Sequence, residues 1–156
     1  MKSLRPNEFG FTLVELLVTV VVLGILASIA TSGFQSLIQS QQAKNASFEL
    51  FSSLILARSE AIKRNTPVTL TPMDAANWGK GWTITSAAGT IKSQSELKKI
   101  VISQSSATVV YAPTGRATVA SVFLLDVSTT LTANARCIKI ELSGMPRTYK
   151  SVSGTC

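Results

Sequence analysis

The chain has 156 residues, a formal net charge of +7, 46% hydrophobic residues and no histidine. That length holds one modest domain plus one long helix. The missing histidine removes the commonest general base and most catalytic zinc sites, and the acidic residues stand singly, so nothing points to an enzyme, a cofactor or a metal.

The chain opens on a short basic leader, "MKSLRPNEFG", holding Lys2, Arg5 and Glu8. The next twenty residues, Phe11 to Ala30, carry a single charge, Glu15. Twenty helical residues span a hydrocarbon core of about 30 Å. A carboxylate inside such a span costs about 2.5–3.5 kcal/mol on insertion scales, so something is expected to pair with it. A secretory signal peptide would end in a small-x-small cleavage site after the apolar run. Here glycine stands directly before the run, and the run continues into a polar helical pattern. An ordinary N-terminal anchor with its basic end inside is the plainer reading.

Beyond Ala30, apolar residues recur at Phe34, Leu37, Ile38, Phe48, Phe51, Leu54, Ile55 and Ile62. The gaps are mostly helical, which predicts an amphipathic stripe in need of a globular partner. "RNTP" is the stop: Asn65 suits a C-terminal cap and Pro67 cannot continue the helix. One helix from Phe11 to Arg64 would be about 80 Å long. Arg58, Glu60, Lys63 and Arg64 read as its solvated side, with Glu60 and Arg64 spaced for an i,i+4 pair.

The remainder reads as strands. "PVTLT", "GWTITS", "KKIVIS", "ATVVYAP", "SVFLLD" and "RCIKIEL" are separated by Gly, Pro, Ser and Asn clusters. "SAAGT" and "STTLTANA" read as hairpin loops. Trp78 and Trp82 read as core or packing residues that flank a loop and cap the hydrophobic edge of the sheet, with Gly79 and Gly81 supplying positive φ. "APTGR" reads as a β-turn made by Pro113 and Gly115. The expected fold class is α+β, one long helix laid on an antiparallel sheet.

The two cysteines, Cys137 and Cys156, lack a Cys-x-x-Cys spacing, which favours a disulfide in an exported chain over a metal or redox site. From Thr66 onward there are nine basic and four acidic residues, net +5, so the positive bias belongs to the C-terminal part. Solubility explains that blandly; an anionic partner explains it more sharply. In "RCIKIELSGMPRTYK", Ile138, Ile140 and Leu142 fall on one strand face and Cys137, Lys139 and Glu141 on the other. A Cys137–Cys156 bond would tie the tail to that outward face and hold Arg147, Tyr149 and Lys150 as an ordered loop near Lys139, with Arg136 as a further neighbour. Such a group suits phosphate contacts and base stacking.

"G-FTLVELLVTVVVLGILASIA", Gly10 to Ala30, resembles the class III signal of type IV pilins and type II secretion pseudopilins. "ARSEAIKRN", "WGKGW", "YAPTGRA" and "SGMPR" further resemble the FimT/GspH group of minor pilins and H-type minor pseudopilins. The resemblance implies a pilin-like fold with four parts: leader 1–10, membrane half of the helix 11–30, amphipathic half 31–65 and β-rich head 66–156. It implies that a prepilin peptidase cuts after Gly10 and methylates the new amine of Phe11. It implies that Glu15 meets the Phe11 amine of a neighbouring subunit during assembly. The implied place is the bacterial inner membrane with the head in the periplasm, then the pilus or pseudopilus. The implied partners are other pilins, major and minor. Some FimT-type minor pilins bind DNA in natural transformation through Gly-Arg-x-Arg; this chain has Gly144-Met145-Pro146-Arg147 at those positions. The expected function is a minor pilin supporting pilus assembly, near the tip. DNA uptake through Lys139, Gly144, Arg147, Tyr149 and Lys150, with double-stranded DNA as partner, is the second reading. An H-type pseudopilin of type II secretion is the third.

Overall fold

The computed structural model describes residues 11–75, 77–127, 135–152 and 154–156, with only the helical backbone for 29–33 and 35–36. The leader, Gly10 included, and all of "STTLTANA" except Ala135 lie outside the described residues. The chain forms two compact units, up to Leu37 and from Ile38 onward.

The helix α1 runs Leu13–Arg64. Asn65 closes it at φ 51°, donating its N–H to the Ile62 carbonyl at 3.3 Å. That is the left-handed cap expected of Asn before Pro67. In the first unit the described large side chains of α1 are exposed all round, Leu13, Leu17, Val20 and Leu23 among them. A helix apolar on every side is one made to be buried. Thr19 and Ser28 donate their hydroxyls to the Leu16 and Ile25 carbonyls, at 2.8 and 2.7 Å, so these two polar groups are satisfied within the helix. Among the described residues no helix is long and apolar enough to cross a membrane. Continuously described side chains within α1 run from Leu13 to Ser28, short of the ~20 residues a span takes.

In the second unit α1 packs on two sheets, where the sequence had suggested one. β1 (Val68–Pro72), β2 (Trp82–Ser86), β3 (Gly89–Gln94) and β5 (Val109–Tyr111) form the first, in the order β3-β2-β1-β5. β4 (Val101–Gln104), β6 (Ser121–Asp126), β7 (Arg136–Ile140) and β8 (Pro146–Lys150) form the second, in the order β4-β6-β7-β8. All named pairings are antiparallel. Strand alternation holds where apolar and polar residues interleave: Val68 and Leu70, and Trp82 and Ile84, are buried. In β6 Phe123 and Leu125 are buried while the apolar Val122 and Leu124 between them are half-buried. β3 and β8 escape a pattern search. β3 has Ile91 as its one large apolar residue and buries none of its side chains; β8 buries only Pro146. Both end their sheets, where polar residues are tolerated and discourage unwanted pairing.

The core face of α1 differs from the stripe of large residues. It is Ala43, Ala46, Ser47, Leu50, Ser53, Leu54, Ala57 and Ala61, all buried. Phe48 and Ile62, expected in the core, are 68% and 51% exposed. Small residues at helical spacing let the backbone approach the sheets, and Leu50 and Leu54 fill what remains. Full burial of each leucine is worth about 1.5–3 kcal/mol.

Trp78 and Trp82 are fully buried core residues, as expected, with ring centroids 6.4 Å apart. Trp78 meets Phe123 edge-on at 4.9 Å. The turn Trp78–Lys80 is held by Asn77, whose Oδ1 accepts from the N–H groups of Gly79 at 2.8 Å and Ile102 at 3.2 Å. Gly81 has the positive φ expected, 110°. Gly79 does not; it is needed because a Cβ there would run into the Ile100 carbonyl. Replacing Gly79 with Ala is therefore expected to destabilise the fold by about 1–3 kcal/mol, read as a lower urea midpoint. An unchanged midpoint would mean that the Ile100 backbone yields freely.

Candidate functional site

Two sites follow from the sequence, one at each end. At the N-terminal end Phe11 is 74% exposed and Thr12 precedes the first helical residue. Thr12 Oγ1 accepts the Glu15 N–H at 3.2 Å. Thr12-Leu13-Val14-Glu15 thus has the spacing of a capping box, Glu15 in its third helical position. There the positive end of the helix dipole favours a carboxylate. Glu15 has a local reason for its place besides any intermolecular one, and the signal was legible in the sequence.

At the other end Cys137 and Cys156 form a disulfide with Cα atoms 5.8 Å apart. The expected loop after Leu142 is instead a turn followed by the edge strand β8. In the β7–β8 register Lys139 faces Arg147, Cys137 faces Tyr149 and Arg136 faces Lys150. Directly opposed residues share a face. Lys139, Arg147 and Tyr149 therefore gather on the outer face, with the disulfide. Lys150 lies on the opposite face with Arg136, away from the group it was expected to join. Lys139 pairs with Glu141 at 3.4 Å, which offsets part of its charge. The Tyr149 hydroxyl donates to the Cys156 carbonyl at 3.3 Å and helps hold the tail. Leu142 is exposed, because β7 ends at Ile140 and the chain turns.

The turn carries Gly144 at φ 80°, its N–H bonded to the Glu141 carbonyl at 2.8 Å. A Cβ on Gly144 would meet the Gly115 carbonyl, so this turn nests against the Ala112–Gly115 turn. That second turn closes with Gly115 N–H on the Ala112 carbonyl at 2.8 Å, with Pro113 and Gly115 placed as expected. Arg58 joins the two. Its Nε donates to the Gly115 carbonyl at 2.9 Å, and its Nη1 reaches Met145 Sδ at 3.4 Å. Arg58 is half-buried and not part of the solvated side. The signal was its spacing, four residues after Leu54 and three before Ala61, both in the core.

Glu60 does pair with Arg64, and with Lys63 at 4.0 Å. The hydrogen bond from Arg64, followed by the charges of Arg64 and Lys63, holds the Glu60 carboxyl below its usual range against a desolvation that pushes it up. Burial pushes the Tyr111 phenol well above its usual range, with Arg58 opposing. Tyr111 thus stays neutral in the fold, inside the core. Among the described residues no cluster of His, Cys, Asp and Glu is placed to hold a metal.

Residues 46–144, well over half of the chain, match the family described as Type II transport protein GspH. The chain belongs to the GspH family. Residues 5–31 match the prokaryotic N-terminal methylation motif. No curated protein matches the chain by sequence. Among solved structures, the type IV minor pilin FimU of Pseudomonas aeruginosa superposes with a TM-score of 0.60 at 18% identity, over 74% of this chain and 92% of that one. The minor pseudopilin EpsH of the Vibrio cholerae Type 2 Secretion System superposes with a TM-score of 0.57 at 13% identity, over 70% and 97%. At such identities the shared property is the fold. Family and neighbours are pilin-like structural proteins, not enzymes.

The disulfide closes a loop over a sequence separation of 19. Reduction, or Cys137→Ser, is expected to lower unfolding stability by about 3 kcal/mol. Urea titration with and without reductant measures this, and coincident curves would mean that the tail adds nothing to stability.

Proposed function

We propose that this GspH-family chain is a minor pilin of a type IV pilus that supports pilus assembly near the tip. The observation that carries the reading is the methylation motif over residues 5–31, with Gly10, Phe11 and Glu15 inside it. In this reading a prepilin peptidase removes residues 1–10 and methylates Phe11. Residues 11–30 anchor the subunit in the inner membrane, 31–65 pack along the filament, and 66–156 form the head on the periplasmic side. Glu15 and the Phe11 amine of a neighbouring subunit each carry a desolvation penalty alone in lipid and relieve it on pairing. Docking is thereby favoured over remaining free in the membrane. The exposed apolar surface of α1 supports this, since it requires a cover from lipid or from other pilin helices.

The test is complementation in the bacterium that carries the gene. Chain recovered from membranes should begin at methylated Phe11. Glu15→Val should leave the chain in the membrane but lower its amount in sheared pili about tenfold or more, as loss of a buried charge partner does. Intact pili with failed export of secreted proteins in a deletion strain would replace this reading with the H-type pseudopilin.

Binding of double-stranded DNA is a second reading, favoured by the register that sets Arg147 beside Lys139 with Tyr149 on the same face. The full chain in nanodiscs should then bind duplex DNA, losing affinity with salt at a slope of about −0.9 per phosphate contact. Arg147→Ala should weaken it at every sequence tested. Equal binding by the variant would assign that face to solubility.

A further inference from the structure

A second surface lies on the opposite face of β7–β8. Lys44, Ser47, Phe48 and Phe51, at helical spacing on α1, meet Arg136 and Thr148 around an open groove of about 370 Å³. Ser47 and Thr148 share a hydrogen bond of 3.0 Å, which fixes the helix against β8 there. Phe48 is exposed and Phe51 half-buried, so the groove wall is aromatic. Lys150 stands directly across from Arg136 in the register, on the groove side.

We propose that this groove binds an extended acidic segment of a partner protein, added as a strand along the free edge of β8. Three features point to that occupant. First, β8 ends its sheet and four of its five residues are exposed, so its outer backbone groups lie open to pairing. Main-chain bonds to an edge strand supply affinity, and alternate side chains supply specificity. Every second side chain of an added strand falls on the Thr148 and Lys150 face, where the phenylalanines provide apolar cover.

Second, the charges call for an anion. Glu49, Glu60, Glu96 and Glu141 each have a Lys or Arg partner. Among the described residues no carboxylate lies within ion-pair reach of Lys44, Arg136 or Lys150. Three cations around an aromatic groove attract carboxylates flanking an apolar side chain. Third, the surplus argues against a second copy. Residues 66–156 carry nine basic and four acidic residues, so two such surfaces repel. The partner is a different, acidic chain.

The test uses the full chain in nanodiscs of zwitterionic lipid and a short fluorescein-labelled peptide repeating Asp-Ser-Val-Ser, which sets Asp and Val on one strand face. Polarisation should show saturable binding, absent when Lys replaces every Asp or when Ser replaces every Val, the latter being the Asp/Ser peptide. Lys44→Glu with Lys150→Glu, both exposed and harmless to the core, should weaken binding about tenfold or more at low salt. Phe48→Ser should weaken it while the charges stay intact. Hydrogen exchange should slow at β8 amides when the peptide is bound. No saturable binding, equal binding by the Asp/Ser peptide, or indifference to both variants would overturn the proposal. Displacement by duplex DNA with no change in β8 exchange would overturn it too, leaving a general anion surface.

Discussion

The second unit depends on how closely its helix approaches the sheets. Ala43, Ala46, Ala57 and Ala61, with Ser47 and Ser53, give α1 a narrow face of small side chains. Along that face the backbone comes near enough for Leu50 and Leu54 to reach one core shared by both sheets. Large residues there would lift the helix away and open voids beneath it, and voids forfeit dispersion contacts outright. The large residues sit instead at the flanks. Phe48 and Phe51 leave one flank apolar and open, and Ile62 lies against the Gly115 turn. The close seat of the helix thus decides which of its aromatics become surface.

The core uses its polar atoms sparingly. The indole nitrogens of Trp78 and Trp82 and the Tyr111 hydroxyl are buried without a partner among the described residues. Such groups lower stability. Their rings offset that through area and geometry, as in the edge-on contact of Trp78 with Phe123. Position is fixed from outside the rings by Asn77, which anchors the Trp78 turn to β4.

Much of this was legible in the sequence, for physical reasons that also explain the misses. Six strands announced themselves because their apolar residues alternate or run together and turn residues punctuate them. β3 and β8 did not, since β3 buries none of its side chains and β8 only Pro146, too little to impose a period. The helix limits were legible at Asn65 and Pro67, where backbone chemistry acts alone. The buried face of the helix was misread because hydrophobicity ranks Phe48 above Ala46, whereas burial there is set by distance of approach. The basic group near the C-terminus was legible as residue types, but not as a surface. Strand pairing sends Arg147 and Lys150 to opposite faces, and a loop would have imposed no such separation.

Arg58 shows how fold and surface are coupled in this chain. Its guanidinium holds the Gly115 turn and lies against Met145, in the turn where the Gly-Arg-x-Arg pattern would put an arginine. An arginine at 145 would set a second guanidinium beside the first with no carboxylate among its described partners. Like charges at such range repel, all the more where one is half-buried. The thioether has no such conflict and is a weak acceptor for the Arg58 N–H. Met145 and Arg58 are therefore one arrangement, in which the helix supplies the positive charge and the turn supplies its cover. A cation at this corner of the head is kept, but it is anchored to the Gly115 carbonyl and less free than one on the turn itself to follow a ligand.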